Sequence, residues 1–121
     1  MGDRVLYQVI DSKKGEFSPV VYSHWGGSNA PGVLQCLFDR MRSRPGDLEY
    51  TAARLVQEVL GNDDGNTGTG IWNAEGQISA DHSHGDAGVV LIDISDGMTF
   101  QCLGGYLKVG PNGKVIVPEG Y

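Results

Sequence analysis

Two N-terminal segments have the apolar content of strands, and the chain then changes to a helical spacing. Arg4–Ile10, which is fairly apolar on both faces, and Ser18–His24 are predicted strands, and the turn Asp11–Gly15 between them predicts an antiparallel hairpin. Two segments with apolar residues three and four positions apart follow. The first ends near Arg42, and the second begins after Asp47, which is suited to cap it. The pattern therefore predicts a hairpin followed by two adjacent helices.

The C-terminal half is predicted to add several strands. Val89–Ile94 is the most apolar run and is expected to be central, and Met98–Leu103 returns after a tight turn. A last hairpin is expected around Pro111–Gly113, whereas residues 74–88 are polar and are expected to be irregular. The order ββααβββ, with room for further C-terminal strands, predicts an α+β fold. We expect a mostly antiparallel sheet with a two-helix layer on one face, in one domain over residues 1–121.

Charge and cysteine content exclude several classes of function. The chain has 9 basic and 15 acidic residues, for a net charge of −6, which argues against general nucleic-acid binding. No apolar run is long enough to span a bilayer, so we expect no membrane association. Cys36 and Cys102 occur without a secretory signal, which predicts two reduced thiols and a cytoplasmic protein.

The most distinctive segment is Tyr22–Gly27, Tyr-Ser-His-Trp-Gly-Gly, where a strand passes into a helix. Tyr22 and Trp25 are suited to stack on a flat ligand, and Gly26 and Gly27 permit close backbone approach. The start of the following helix offers free N–H groups to an anion. The alternative interpretation makes the aromatic residues part of the core and gives His24 a hydrogen bond to the backbone.

Two further arginines and a glycine-rich loop extend this hypothesis. Arg44 and Arg54 are candidates to hold a phosphate, although such residues are more often a solvated face. The loop Asn62–Gly70 lacks the ending of a P-loop and the spacing of an EF-hand, so we interpret it as a hinge or lid. Thr69, at its end, is a candidate ligand contact.

A second candidate site is the segment Asp81–Asp86, Asp-His-Ser-His-Gly-Asp. His82 and His84 would point to the same side of an extended chain and could hold a divalent metal with a further ligand such as His24 or Asp93. Such a metal would activate water for phosphodiester cleavage. The spacing matches no standard zinc site, so the alternative is a solvated polar loop.

The segment Val20–Gly27 resembles a group of small phage and actinobacterial proteins with a Tyr-Ser-His-Trp-(Asp/Gly)-Gly motif. The resemblance continues at Asp47–Tyr50, at Thr67–Ile71 and at the strand that carries Asp93. It does not extend to Asp81–His84 or to the tail after Tyr106. The group is largely uncharacterised, so the resemblance implies a phage or prophage accessory setting rather than an activity.

That setting suggests a role against host defence. The sequence favours a non-catalytic protein that sequesters a small nucleotide-type signal, without a cofactor. We expect its pocket to use Tyr22, His24, Trp25, Gly26, Gly27, Arg44, Arg54 and Thr69. Because ligand pockets are common at subunit interfaces, we expect a homo-oligomer. The alternatives are a metal-dependent phosphoesterase that uses His82 and His84, and an anti-CRISPR-like inhibitor that binds a host defence protein.

Overall fold

The computed structural model describes residues 3–61 and 68–119, and in them the predicted α+β fold is confirmed. Two strands precede two helices, and shorter strands follow, in the order that the hydrophobic pattern predicts. Short 3₁₀ turns lie at Gly27–Asn29, Met41–Ser43 and Ala80–His82. The regular elements are β1 (Val5–Asp11), β2 (Glu16–Ser23), α1 (Ala30–Arg40), α2 (Leu48–Gly61), β3 (Thr69–Trp72), β4 (Gly88–Asp93), β5 (Thr99–Leu103), β6 (Lys108–Val109) and β7 (Val115–Ile116).

Five of these strands form one mixed sheet in the order β3-β2-β1-β4-β5. The pairs β1–β2, β2–β3 and β4–β5 are antiparallel, which agrees with the mostly antiparallel prediction. The pair β1–β4 is parallel, with Val5 opposite Gly88 and Ile10 opposite Asp93. The intervening β2, helices and β3 supply the long crossover that parallel pairing needs. The apolar strand β4 is interior, but β1 occupies the middle position.

The two helices cover one face of the sheet. Val5, Tyr7 and Val9 of β1 point to this face and pack with the buried residues Leu37 and Leu55 of the helices. Every residue of β1 is buried, because the opposite face is covered as well. Two apolar residues of the helices remain partly exposed, namely Phe38 in α1 (38%) and Leu60 in α2 (49%).

The second face is covered by residues 73–87, which we call the strap. The strap is irregular apart from one 3₁₀ turn, as predicted, but it carries the buried side chain of Ile78. Ile78 packs with Leu6, Leu91 and other apolar residues of the sheet. Gln8 is fully buried and links the strap to the sheet. Its Nε2 donates to the carbonyls of Ser18 in β2 and Gly76 in the strap, at 3.0 Å each. Its Oε1 accepts from Ile78 N at 2.9 Å.

Capping explains how the helices begin. Asp47 caps α2 as predicted, since its Oδ1 accepts from Tyr50 N at 3.0 Å. Asn29 stands at the N-cap of α1 without a side-chain cap bond. The predicted last hairpin is formed by β6 and β7, and β7 packs beside α1. Neither helix of the described ranges is long and apolar enough to cross a bilayer.

Candidate binding pocket

The segment Tyr22–Gly27 lies where β2 leaves the sheet. Strand alternation points Val21 toward the helices and Tyr22 toward the strap, where Tyr22 packs at the margin of the apolar cluster around Ile78. Trp25 lies beyond the strand and is 63% exposed, so it is not a core residue. His24 is also exposed, and its N–H donates to Gly68 O at 2.8 Å. The segment therefore presents Tyr22 and His24 on the strap side of the sheet.

A cavity of about 300 Å³ opens beside these two residues. Its walls come from the start of β1, the end of β2, the edge strand β3 and the strap. Two of the three histidines of the chain, one of its two tryptophans and an arginine are thus brought together. The lining residues are Arg4, Leu6, Tyr22, Ser23, His24, Trp72 and His84.

Aromatic rings continue around this cavity. The Tyr22 and His24 rings are 6.0 Å apart and nearly perpendicular, at 85°. Trp72 stacks on His82, with centroids 6.0 Å apart and planes inclined by 27°. His82 is also oriented by Ser79 N, which donates to its Nδ1 at 3.2 Å. The Trp72 ring thus stacks on His82 and also lines the cavity.

Arg4 supplies the permanent positive charge of the cavity. Its Nε lies 3.6 Å from Asp86 Oδ2, and its side chain remains 40% exposed. Asp86 Oδ2 also accepts from the backbone N–H of Arg4 at 3.2 Å. The Nε atom is buried without a hydrogen bond, because 3.6 Å is too long for one. The ion pair thus positions the guanidinium without saturating its donors.

The helix start that was predicted to receive an anion contains a carboxylate of the chain itself. Asp3 Oδ2 accepts from Ser28 N at 2.8 Å, and the Asp3 carbonyl accepts from Gly27 N at 2.9 Å. Tyr106 Oη donates to Asp3 Oδ1 at 2.5 Å. A side chain at Gly27 would collide with Asp3 and with Ala87, whose Cβ would lie 2.6 Å away. Gly27 therefore permits packing within the chain, which is the physical reason that a ligand does not find this helix start open.

Gly26 and the neighbouring glycines have similar packing roles. A Cβ on Gly26 would lie 2.5 Å from Ser23 Oγ, and one on Gly68 would lie 2.8 Å from Trp25 Cδ1. Trp25 itself is outside the cavity lining, with its ring 6.1 Å from that of His24. Thr69 begins β3 opposite Ser23 and does not line the cavity. The proposed lid falls mainly on residues 62–67, which lie outside the described residues.

Arg44 and Arg54 lie apart from the Tyr22–Gly27 segment. Both guanidinium groups lie over the ring of Tyr50, at 4.2 and 4.8 Å from its centroid, and Arg44 also pairs with Asp47 at 3.1 Å. Arg44 follows the C-terminal end of α1, whose 11 residues separate it from Gly27 by about 16 Å along the helix axis. The predicted set of pocket residues is thus divided between two places.

The histidines of the strap do not form the predicted metal site in the described residues. Within residues 3–61 and 68–119, no three His, Cys, Asp or Glu side chains are grouped to hold a metal ion. Asp93, the further ligand considered for it, accepts instead from Ser12 N and Ser95 N at 3.3 and 3.0 Å. Burial opposes ionisation of the Asp93 carboxyl, but hydrogen bonds from the side chains and backbone of Ser12 and Ser95 outweigh it and lower its pKa. His84 contributes to the cavity, and His82 contributes through Trp72.

Two of the cavity residues were missed by sequence reasoning. Arg4 was assigned to the first predicted strand and Trp72 to no site, because no local motif marks either as functional. Their signal is tertiary, because Arg4 precedes the central strand and Trp72 ends an edge strand. Comparison of the chain with models of protein families, with curated proteins and with solved structures finds no match. The cavity is therefore interpreted from its own chemistry.

Proposed function

We propose that this protein binds a small nucleotide-type ligand in the cavity between Tyr22, His24, Trp72, His84 and Arg4. The observation that carries the proposal is the collection of one arginine, two histidines and two large aromatic rings around about 300 Å³. Arginine and histidine are donors suited to phosphate oxygens. Tyrosine and tryptophan rings are suited to stack on a base. Both halves of a nucleotide thus find a partner in one cavity.

Local charge supports an anionic ligand in spite of the net charge of −6. The described lining contains Arg4 and two histidines but no carboxylate, and the nearest ionic partner of Arg4 is Asp86 at 3.6 Å. Screening at physiological salt limits the influence of distant charges to about 8–10 Å. The acidic residues elsewhere on the surface therefore have little effect inside the cavity, although they repel a long polyanion.

The size of the cavity restricts the ligand. At about 300 Å³ it lies at the lower limit of ordinary small-molecule pockets, which extend from about 300 to 1,000 Å³. A mononucleotide, or one half of a dinucleotide whose other half lies in solvent or against a second subunit, matches this volume. The role we propose is sequestration of such a signal, in the phage counter-defence setting that the sequence resemblance suggests. Metal-dependent hydrolysis and inhibition of a defence complex have no comparable support in the described residues.

The test is a calorimetric titration of the purified chain with a mononucleotide, a cyclic dinucleotide, the matching nucleoside and inorganic phosphate. We expect the nucleotides to bind more tightly than the nucleoside or phosphate, because each fragment keeps only half of the contacts. A parallel thermal shift should follow, since ligand at 100 times Kd stabilises the folded state by about 2.7 kcal/mol. Absence of heat and of any thermal shift with every nucleotide would overturn the proposal.

Two matched pairs of variants locate the site. Trp72→Leu should weaken nucleotide binding by about 5- to 150-fold, since one stacked base contributes about 1–3 kcal/mol, whereas Trp25→Leu should leave it within about twofold. Arg4→Gln should reduce the preference for nucleotide over nucleoside, whereas Arg42→Gln, which changes an exposed arginine paired with Asp39, should not. The reverse result for the tryptophans would place the ligand at Trp25 and refute the assignment of this cavity.

A further inference from the structure

A second, larger concavity lies on the helical side of the molecule, between α1, β5 and the β6–β7 hairpin. Its volume is about 470 Å³, and it adjoins a chamber of about 140 Å³ with which it shares Phe38 and Met98. We call the two together the apolar groove. It follows α1 from Pro31 in the first turn to Met41 after the last, a distance of about 16 Å for 11 residues.

The floor of the groove is made of aliphatic and aromatic side chains. Leu34 and Met41 are almost fully buried beneath it, Phe100 is half-buried, and Phe38 is 38% exposed. In the smaller chamber the hydroxyl of Thr51 is already satisfied, because it donates to Asp47 O at 2.6 Å. A peptide seated there would place polar backbone groups against a wall with few free partners. An alkyl chain makes no such demand, so the chamber favours hydrocarbon.

The hairpin side of the larger concavity carries a positive charge. Lys114, on the hairpin, lines the larger part, and in the described residues its ammonium forms no ion pair. Arg42 lines the far chamber, but it is paired with Asp39 at 3.0 Å and lies over Phe38 at 5.8 Å. None of the described lining residues is acidic, although the chain as a whole has a net charge of −6. The groove thus joins a hydrocarbon-like floor to one free cation.

We propose that the apolar groove binds an alkyl carboxylate, with the chain along α1 and the carboxylate at Lys114. Burial of the chain provides most of the affinity, and the ion pair sets its direction. This site is separate from the nucleotide cavity and does not depend on that proposal, since the two have no lining residue in common. Occupation by a second copy of the chain or by a peptide is the competing outcome.

The experiment is displacement of an anilinonaphthalene sulfonate probe from the purified 121-residue chain by a homologous series from hexanoate to tetradecanoate. Each added methylene should tighten binding about fourfold until the groove is filled, and then the affinity should level off. The methyl ester of the best acid should bind more weakly than the acid. Affinity that does not depend on chain length, or an ester that equals the acid, would overturn the proposal.

Two lysines on the same hairpin provide a matched control. Lys114→Gln should remove the preference for acid over ester, whereas Lys108→Gln, whose exposed side chain is outside the groove, should preserve it. Thr99→Trp adds a large ring at an exposed position of the lining and should reduce binding of every acid at least tenfold. If light scattering instead shows a dimer that Thr99→Trp dissociates and no acid displaces, the groove is a contact between copies and the proposal is wrong.

Discussion

Replacement of Gln8 tests the account of how the strap is held. Gln8→Met keeps the length of an unbranched side chain but removes its amide. Three groups then lose a partner: the Ile78 N–H, which donates to Oε1 at 2.9 Å, and the carbonyls of Ser18 and Gly76, which accept from Nε2 at 3.0 Å each. Gln8, Ser18 and Ile78 are almost fully buried, so water does not replace the partners lost there, whereas the Gly76 carbonyl is only partly buried.

The size of the effect follows from these contacts. A buried group left without its partner costs about 1–3 kcal/mol, and Ile78 N–H is the clearest case here because its residue is only 3% exposed. The Ser18 carbonyl, which is buried on β2, adds a cost of the same kind, whereas the Gly76 carbonyl adds less because it lies on the irregular strap and is only partly buried. We therefore expect Gln8→Met to lower the free energy of unfolding by about 3–5 kcal/mol, which is a large share of the about 5–15 kcal/mol typical of a domain.

Urea denaturation followed by circular dichroism measures this loss, with Gln57→Met, at an exposed position of α2, as the control. Hydrogen exchange at the Ile78 amide should accelerate by the factor that corresponds to the loss in free energy of unfolding, because opening of the strap exposes this amide. The strap also carries His84, so nucleotide binding should weaken in the same variant. A loss of less than about 1 kcal/mol in the free energy of unfolding, or an unchanged rate of hydrogen exchange at the Ile78 amide, would refute the interpretation that Gln8 holds the strap on the sheet.

Three smaller changes test other contacts. Gly27→Ala should destabilise the protein by steric conflict with the packed chain, whereas Gly32→Ala, at an open helical position, should stabilise it by about 0.5–1 kcal/mol in thermal unfolding. The hydrogen bond from the backbone N–H of Tyr50 lowers the pKa of Asp47. The contribution of Asp47 to the stability of the folded protein is therefore complete above the ordinary pKa of about 3.9 and is lost as the pH falls through the lowered pKa. Asp47→Asn should flatten that part of the urea-midpoint profile, and an unchanged profile would contradict the capping role. Burial raises the pKa of the Cys102 thiol to about 11, so iodoacetamide at pH 8 should modify exposed Cys36 first, as mass spectrometry would show.

The periodic parts of the fold could be predicted because each element that faces one layer repeats its apolar residues at a fixed interval. The stripe of α1 is of this kind, whereas β4 was predicted from a continuous apolar run, which is buried on both faces of the sheet. The strap escapes such reasoning, since its main anchor is one apolar residue, Ile78, held by a buried amide from a distant strand. No periodicity marks a segment that is attached through one buried apolar side chain and through scattered hydrogen bonds to distant residues.

The helix start illustrates a different limit. Its free N–H groups and the two glycines before it match the general pattern of an anion site, and that inference is sound as far as local chemistry extends. The competing anion is Asp3, which reaches Ser28 N across 25 residues of sequence and is held from the other side by Tyr106. A carboxylate tethered to the chain competes with a free phosphate at high effective concentration. Local sequence cannot show which donor sites are already satisfied.

The composition of the cavity depends on the one parallel pairing of the sheet. Because Val5 lies opposite Gly88, the residues that precede β1 and β4 lie at the same end of the two strands. Arg4 therefore contacts Asp86 and lines the cavity together with His84 of the strap. An antiparallel pairing of the same strands would place Arg4 beside the other end of β4. The direction of a strand pair is set by the whole crossover rather than by the strands themselves. Arg4 and His84 therefore line one cavity because of the elements between β1 and β4. The sequence marked Tyr22 and His84 as candidates for two separate sites, but it did not show that they lie together with Arg4.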